Sequence, residues 1–317
     1  MKRTAPRPAR QTSRRVPRGA LRAAVPLLRE IGDLKRIRTA DGTASMAERA
    51  FLRSWAALVR GADPGRVAVH ECAAAVVGAR LAGVDGPVLR RCGLTAPEAA
   101  AVLARSLGQH AGRLDAVTLG RLEEALPRLA AADLRTAPAP GFAADLCGQP
   151  RAGATRPGRP RLMVEPPESH GDHCWAVSVY GGLLAEAFGA DPADAFLLGL
   201  AHHLHNAVLP DAGFAGEELL GEHLPGITAR LVDRQLAALP GPLASRLAGL
   251  LALREEAVHP AARAFHAADV LDRVLQVHHH ARAAAFTAEQ ALDDLDLVHP
   301  CAVSGFHRAV LTAAEAT

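Results

Sequence analysis

The sequence predicts an all-α fold for this chain of 317 residues. Alanine and leucine dominate the composition, and aromatic residues make up only 3% of it. Apolar residues recur at helical spacing in most segments, without the strict alternation of apolar and polar residues that is typical of strands. The length suits either two domains of ordinary size or one large helical domain.

The charge and cysteine content exclude several classes of protein. The net charge is +3 and the pI is near 8.8, and much of the basic excess lies in the N-terminal tail, so no nucleic-acid polymer is expected as a partner. The 5 cysteines are scattered and form no Cys-x-x-Cys pair, which predicts a reducing, cytoplasmic location. No apolar run reaches about 18 residues, so no membrane span is expected.

The first half of the chain is expected to hold a tail and a helical domain. Residues 1–20 are basic and proline-rich, which is typical of disorder. Residues 21–135 are expected to form the helical domain, because amphipathic stretches follow one another between helix start signals. Its predicted helices run from Leu21 to Asp33, from Ser45 to Arg60 and from Gly65 to Ala82, and two more start near Thr95 and Thr118.

Residues 136–167 are rich in proline, glycine and arginine, which predicts a linker to a second helical domain over residues 168–317. The arginines of this segment are either solvated or reach a substrate phosphate. Arg159 and Arg161 lie nearest to the first histidine cluster of the second domain. Helices of that domain are expected to begin at His173, after Ala190-Asp-Pro, near Ile227, near Leu243, before Ala264 and near Gly305.

The histidines are distributed unevenly along the chain. Of the 15 histidines, only His70 and His110 precede residue 170. Histidine is the commonest neutral metal ligand in proteins, so this one-sided placement predicts a metal site in the second half.

Four side chains of the second half are predicted to bind the metal ion. His173 opens one helix, and a strongly apolar helix carries His202 and His203 at its C-terminal end. Asp269 lies between alanine and valine on a third helix, where a merely solvated carboxylate is unusual. Three helices that meet through these side chains can converge on one divalent ion.

These residues resemble a known family. The pattern of one histidine, a His-Asp pair roughly thirty residues later and a late aspartate is that of the HD metal-dependent phosphohydrolase superfamily. The box Glu168-Ser-His-Gly-Asp-His173-Cys-Trp is similar to that of the 5′-deoxynucleotidase-like branch. The resemblance covers roughly residues 160–310 and implies an HD-like helical bundle. It also implies catalytic roles at the positions of Asn206 and Asp211, where this branch has two acids.

The sequence departs from this family at two positions. His202-His203 stands in place of the His-Asp pair, and Asn206 is neutral where the family has an acid. The remaining ligand set is softer and should favour zinc, iron, cobalt, nickel or manganese over magnesium. His205 is a candidate substitute for the missing general base.

Three functions are compatible with this pattern. The first is metal-dependent hydrolysis of a nucleotide-like phosphomonoester, with a small phosphorylated metabolite or nucleotide as the ligand. The second is a catalytically inactive HD fold that senses a ligand or associates with a protein, and a homodimer is compatible with either. The third is a di-iron oxygenase, which requires His223 and His259 to converge on the cavity that holds Asp269.

The first half also contains short sequence segments that are similar to segments of the second half. Ala44-Ser-Met-Ala-Glu-Arg49 resembles the first histidine box, with arginine at the ligand position. Gly61-Ala-Asp-Pro precedes His70 much as Gly189-Ala-Asp-Pro precedes His202. The first half is therefore either a decayed copy of the second or a chance likeness between alanine-rich helices.

Overall fold

The computed structural model of the chain describes residues 16–39, 42–131, 138–254, 256–283, 287–294, 297–298 and 300–315. Over these residues the fold is all-α, as the sequence predicts, with isolated β-bridges in place of any strand. The α-helices of this part, α1 to α14 in chain order, are Arg18–Gly32, Met46–Val59, Pro64–Leu81, Gly86–Arg91, Ala96–Gly108, Ala116–Ala131, Gly141–Gly148, His170–Phe188, Pro192–Ala201, Gly213–Leu220, His223–Ala237, Gly241–Ala252, Pro260–Arg282 and Ser304–Ala313. No helix in the described ranges has both the length and the apolar character that a bilayer crossing requires.

Helix α8 is the centre of the molecule. All of its residues are buried except Glu186 and Ala187, so it is enclosed on every side rather than on one stripe. Helices from both halves of the chain surround it, namely α1, α2, α3, α7, α9 and α13. His173 lies in the first turns of this helix, so the first predicted ligand is positioned by the most enclosed element of the fold.

One hydrophobic core runs through the described part of the chain, from Leu21 in α1 to Ala314 after α14. The predicted helical domains at 21–135 and 168–317 both contribute residues to this core. Helix patterns show which residues are apolar, but not which other helix covers them. The predicted tail 1–20 lies outside the described residues up to residue 15, and α1 already begins at Arg18.

The segment 136–167, predicted to be a linker, contains a short helix. Residues 136 and 137 lie outside the described residues, but α7 occupies Gly141–Gly148 and buries Phe142 and Leu146 in the common core. Trp55 packs edge-to-face on Phe142, with ring centroids 4.9 Å apart. Because this short helix is held by distant aromatic contacts, its local proline and glycine content did not indicate it.

The helix starts of the two halves correspond in pairs. Ser45 and Ser169 each cap a helix through a capping box, α2 and α8 respectively. Asp63-Pro64 and Asp191-Pro192 each open the following helix with an aspartate cap and a proline in the first turn. The two capping boxes also touch, because Ser45 Oγ donates a hydrogen bond to Asp172 Oδ1.

A close approach between α8 and α9 fixes the two helices that carry the histidines. A Cβ atom at Gly199 would lie 2.6 Å from the backbone nitrogen of Ser178 and 2.7 Å from its Cα atom. Only glycine therefore allows this contact. Since Gly199 is three residues before His202, the contact sets the distance between His202 and α8.

We expect Gly199→Ala to lower the free energy of unfolding by about 1–3 kcal/mol, because the added methyl group meets backbone that cannot move aside. Urea unfolding followed by circular dichroism measures this change. Gly249→Ala is the matched control, since Gly249 is an exposed glycine in α12 with no atom within 4 Å of an added Cβ. That control should be neutral or stabilising by about 0.5–1 kcal/mol. Equal effects in both variants would contradict the steric argument.

Candidate metal centre

The first ligand position depends on the start of α8. The Ser169 side chain accepts a hydrogen bond from the backbone N–H of Asp172, and the Asp172 carboxylate accepts one from the backbone N–H of Ser169. This capping box begins the helix at His170 and places His173 one turn inside it. The His173 side chain is 1% exposed. Its direction is therefore set by packing and not by solvent.

The second ligand position follows the C-terminal end of α9. Asp191 caps this helix and Pro192 occupies its first turn, and every residue from Ala195 to Ala201 is buried. The helix ends at Ala201, and His202 is its C-cap residue. An apolar helix thus delivers His202 into the core, as the sequence predicts.

The His173 ring nitrogen faces two other acceptors. His173 Nε2 lies 3.2 Å from His202 Nε2 and 3.3 Å from Asp269 Oδ1. Two ligand atoms of a tetrahedral zinc site with bonds of 2.0–2.1 Å are about 3.3 Å apart. The spacing between these pairs of atoms therefore fits coordination of one ion.

Hydrogen bonds on the far side of each ring determine where its proton lies. His173 Nδ1 donates to Asp272 Oδ2 at 2.8 Å, and His202 Nδ1 donates to the carbonyl oxygen of Gly199 at 2.6 Å. A neutral imidazole carries only one N–H, so both Nε2 atoms present lone pairs. Asp269 Oδ1 lies beside them, and Arg273 donates to the other oxygen of this carboxylate at 2.9 Å. A cation shared by the two Nε2 atoms and Asp269 Oδ1, either a metal ion or an added proton on a ring, would stabilise this arrangement.

Burial and nearby charges act on the protonation of this cluster. Burial, together with the neighbouring His173, holds the pKa of His202 well below its usual range, which disfavours an added proton on that ring. Burial alone would raise the pKa of Asp269, but the Arg273 guanidinium and His173 hold it well below its usual range. The cluster therefore offers a neutral imidazole and an anionic carboxylate, both of which suit a transition-metal ion.

His203 lies near the cluster, but its lone pair is already used. The Asn206 amide nitrogen donates to the carbonyl of Leu209, so its oxygen must be the acceptor for His203 Nδ1 at 2.7 Å. His203 Nε2 then accepts from the guanidinium of Arg151 at 3.0 Å. One nitrogen each of His173, His202 and His203 lies within 4.8 Å of the others, so the three could hold a metal ion. For His203 to take part, Arg151 must first withdraw.

Arg151 is a part of the site that the sequence did not indicate. Burial alone would lower the pKa of this guanidinium, but the carboxylates of Glu168, Asp211 and Asp269 raise it, so the group is charged. Of the two arginines proposed as phosphate contacts, Arg161 donates to the carbonyl oxygen of Ala152, and the structure shows no contact from Arg159 to the cluster. Residue 151 is therefore the arginine of this segment that contacts a histidine of the cluster.

The residues predicted to be catalytic surround this centre, but most of their polar atoms are engaged. The Asp211 carboxylate accepts from the backbone N–H of Ala152 with one oxygen and from that of Gly213 with the other, each at 2.9 Å. Asn206 is engaged by His203 and Leu209, as described above. His205 Nδ1 is buried without a hydrogen-bond partner. Burial and the charge of Arg254 lower the pKa of His205 to about 4.

His170 offers a further unengaged nitrogen. Its Nδ1 donates to the carbonyl oxygen of Gln149 at 3.3 Å, which leaves Nε2 as an acceptor. This Nε2 atom is buried without a hydrogen-bond partner and lies 3.7 Å from Asp211 Oδ2. Burial, followed by the charge of Arg151, lowers the pKa of His170 to about 3.

The histidines required for a two-iron centre do not join this group in the described part of the chain. The His259 ring caps its own helix, accepting from the backbone N–H of Ala261 at 3.3 Å. About 15 Å of helix rise separates it from Asp269, ten residues further along α13. His223 is exposed at the start of α11.

Asp272 is another residue of the site to which the sequence analysis assigned no role. It lies three residues after Asp269 on α13, which places the two carboxylates on one helix face. The i, i+3 spacing was thus a usable signal, whereas nothing in the local sequence around Arg151 indicated a buried guanidinium.

The donor set fits a transition-metal ion of the zinc, iron, cobalt or manganese type, since imidazole nitrogen and carboxylate oxygen are its usual ligands. Asp272 and the Gly199 carbonyl provide the outer hydrogen bonds that metal-binding histidines usually make. Comparison of the chain with models of protein families, with curated proteins and with solved structures gives no match.

Proposed function

We propose that this chain binds a divalent transition-metal ion through His173, His202 and Asp269 and hydrolyses a small phosphomonoester, in the manner of the HD superfamily that its sequence resembles. The observation that supports the proposal is the placement of two further lone-pair acceptors, His202 Nε2 and Asp269 Oδ1, at 3.2 and 3.3 Å from His173 Nε2. A bound metal ion would supply a Lewis acid for a phosphoryl oxygen and lower the pKa of a water molecule.

Arg151 is the group that would bind the phosphate. Its guanidinium is charged and donates to the neutral His203 Nε2 at 3.0 Å. A phosphate oxygen is a stronger acceptor for a guanidinium than a neutral imidazole is. Arg151 would therefore exchange His203 for the substrate and leave the His203 lone pair available.

Proton transfer would depend on His170 or His205, because each has a buried nitrogen without a partner. Both are weak bases, with a pKa lowered to about 3 and about 4 respectively, whereas an effective general base has a pKa near the working pH. This observation favours a second candidate function, in which the same centre binds a phosphorylated ligand without hydrolysing it.

Phosphate release measured after metal reconstitution distinguishes the two functions. Metal-free protein would be incubated with Zn²⁺, Mn²⁺, Co²⁺ or Fe²⁺ and then with p-nitrophenyl phosphate or a nucleoside 5′-monophosphate. Metal-dependent release that is absent in His202→Ala supports hydrolysis. Saturable binding of the nucleotide without release supports the binding function. Neither release nor binding with any metal would exclude both.

We expect Arg151→Gln to raise the KM, or the Kd if no turnover occurs, by about 10- to 100-fold, because one charge-assisted hydrogen bond to phosphate is lost. Its affinity for the metal ion should be unchanged or higher, since His203 is released. Arg159→Gln is the matched control, as Arg159 is an exposed arginine of the same segment. An equal effect from both variants would mean that the segment acts only through its net charge.

A further inference from the structure

A lysine from the N-terminal half reaches the ion-binding centre of the C-terminal half. Lys35 ends a short 3₁₀ turn after α1 and is 5% exposed. Its ammonium group donates to Glu168 Oε1, Asp272 Oδ1 and Gln276 Oε1, each at 2.7 Å. An ammonium group has three donors, so all of them are used within the protein.

Asp272 links this lysine to His173. One of its carboxylate oxygens accepts from Lys35, and the other accepts from His173 Nδ1 at 2.8 Å. The Asp272 side chain is 1% exposed, so no solvent competes for either oxygen. Because Lys35 holds the first oxygen in place, the second is fixed on His173.

The proton on His173 Nδ1 decides whether Nε2 can bind an ion. An acceptor at Nδ1 keeps the proton there and leaves the Nε2 lone pair directed at His202 and Asp269. A donor at the same place would move the proton to Nε2 and block that lone pair. Whether the group that faces Nδ1 is an acceptor or a donor therefore determines whether His173 can bind an ion.

We propose that Lys35 is a positioning residue for the ion-binding centre: it anchors one oxygen of Asp272, so that the other holds His173 in the tautomer whose Nε2 is open to a metal ion. The role of Lys35 in metal binding rests on the proposed function, whereas the contacts among Lys35, Asp272 and His173 do not depend on it. A merely structural lysine, which ties the 3₁₀ turn to α13, would affect stability without affecting the tautomer.

Substitution of Asp272 by asparagine, alone and with Lys35→Met, separates these two roles. In Asp272→Asn the amide has a single oxygen, and this oxygen accepts the hydrogen bond from Lys35. The amide NH₂ group therefore faces His173 Nδ1 as a donor, so the ring proton moves to Nε2. In Asp272→Asn with Lys35→Met, the amide oxygen is free to turn to His173, and the Nδ1–H tautomer returns. A purely structural contact could restore stability in such a double variant, but it would not restore the tautomer of His173, which Lys35 does not contact.

The tautomer is read in metal-free protein by nitrogen-15 NMR of the histidine rings, with the His173 signals assigned from a His173→Gln sample. Zn²⁺ affinity is measured separately by competition with a chromophoric chelator. We expect the Nε2–H tautomer and a 10- to 100-fold loss of Zn²⁺ affinity in Asp272→Asn, and recovery of the Nδ1–H tautomer with at least part of that affinity in the double variant. Gln276→Met, which removes another partner of Lys35, should match the wild type in both.

An unchanged His173 tautomer in Asp272→Asn, or no return in the double variant, would overturn the role of Lys35. If the double variant does not fold, Lys35→Arg combined with Asp272→Asn is measured instead. The arginine guanidinium can still donate to the amide oxygen, so His173 should keep the Nε2–H tautomer. Wild-type protein that shows the expected tautomers but binds no Zn²⁺ would refute the proposed metal centre and leave the positioning role intact.

Discussion

His202→Ala is expected to weaken the binding of Zn²⁺ or Mn²⁺ by more than about 100-fold, and Asp269→Ala should have an effect of similar size. Each substitution removes one of the acceptors that face His173 Nε2. His202 caps the C-terminal end of α9 and Asp269 lies on α13, so a shared loss would locate one centre between these two elements. The measurement is metal content by mass spectrometry after purification without a histidine tag, followed by titration of metal-free protein.

The control for this experiment is His223→Ala, which removes an exposed histidine at the start of α11. We expect it to keep the wild-type metal content. A lower metal content in this variant would revive the two-metal alternative, in which His223 was a proposed ligand. Full metal content in both His202→Ala and Asp269→Ala would place the ion elsewhere and refute the proposed centre.

The parts of the centre that follow from local rules could be predicted from the sequence. The serine and acid of the capping box fix where α8 begins, and the cap fixes His173 in its first turns. The apolar run before His202 predicts a buried helix that ends at the ligand. In the structure, His173 Nε2 and Asp269 Oδ1 lie 3.3 Å apart.

The parts that depend on distant segments could not be predicted. Lys35 and Asp272 are separated by 237 residues, and the local sequence around each does not indicate a contact with the other. Arg151 stands in a segment whose proline and glycine content is typical of a linker. The expected fourth ligand, His203, accepts a hydrogen bond from that same arginine. Its role could not be predicted because the sequence did not indicate this contact.

The packing of the helices could not be predicted from the sequence for the same reason. A helix that is apolar on all sides, as α8 is, signals burial but does not say which helices cover it. In the structure, helices α1, α2 and α3 of the first half pack directly on α8 of the second. The common core therefore makes the first half a structural support of the centre.

Arg53→Met should lower the free energy of unfolding by about 3 kcal/mol, at the lower end of the range for breaking a buried ion pair. Arg53 joins α2 to α3 through two hydrogen bonds to the Glu71 carboxylate, of 2.9 and 2.7 Å. Glu71 is 2% exposed and would keep its charge without a partner, while the 28% exposure of the Arg53 side chain allows some water to reach the carboxylate. Urea unfolding measures the change.

The double variant Arg53→Met with Glu71→Leu tests the reason for that loss. If the cost comes from an unpaired buried charge, replacing both partners by apolar side chains should recover most of the stability. Because one core joins the halves, fluorescence from Trp55 and from Trp175 should report a single transition, each read with the other tryptophan replaced by phenylalanine. Two separate transitions would instead show that each half folds by itself, and the helices of the first half would then lose their role in holding the centre.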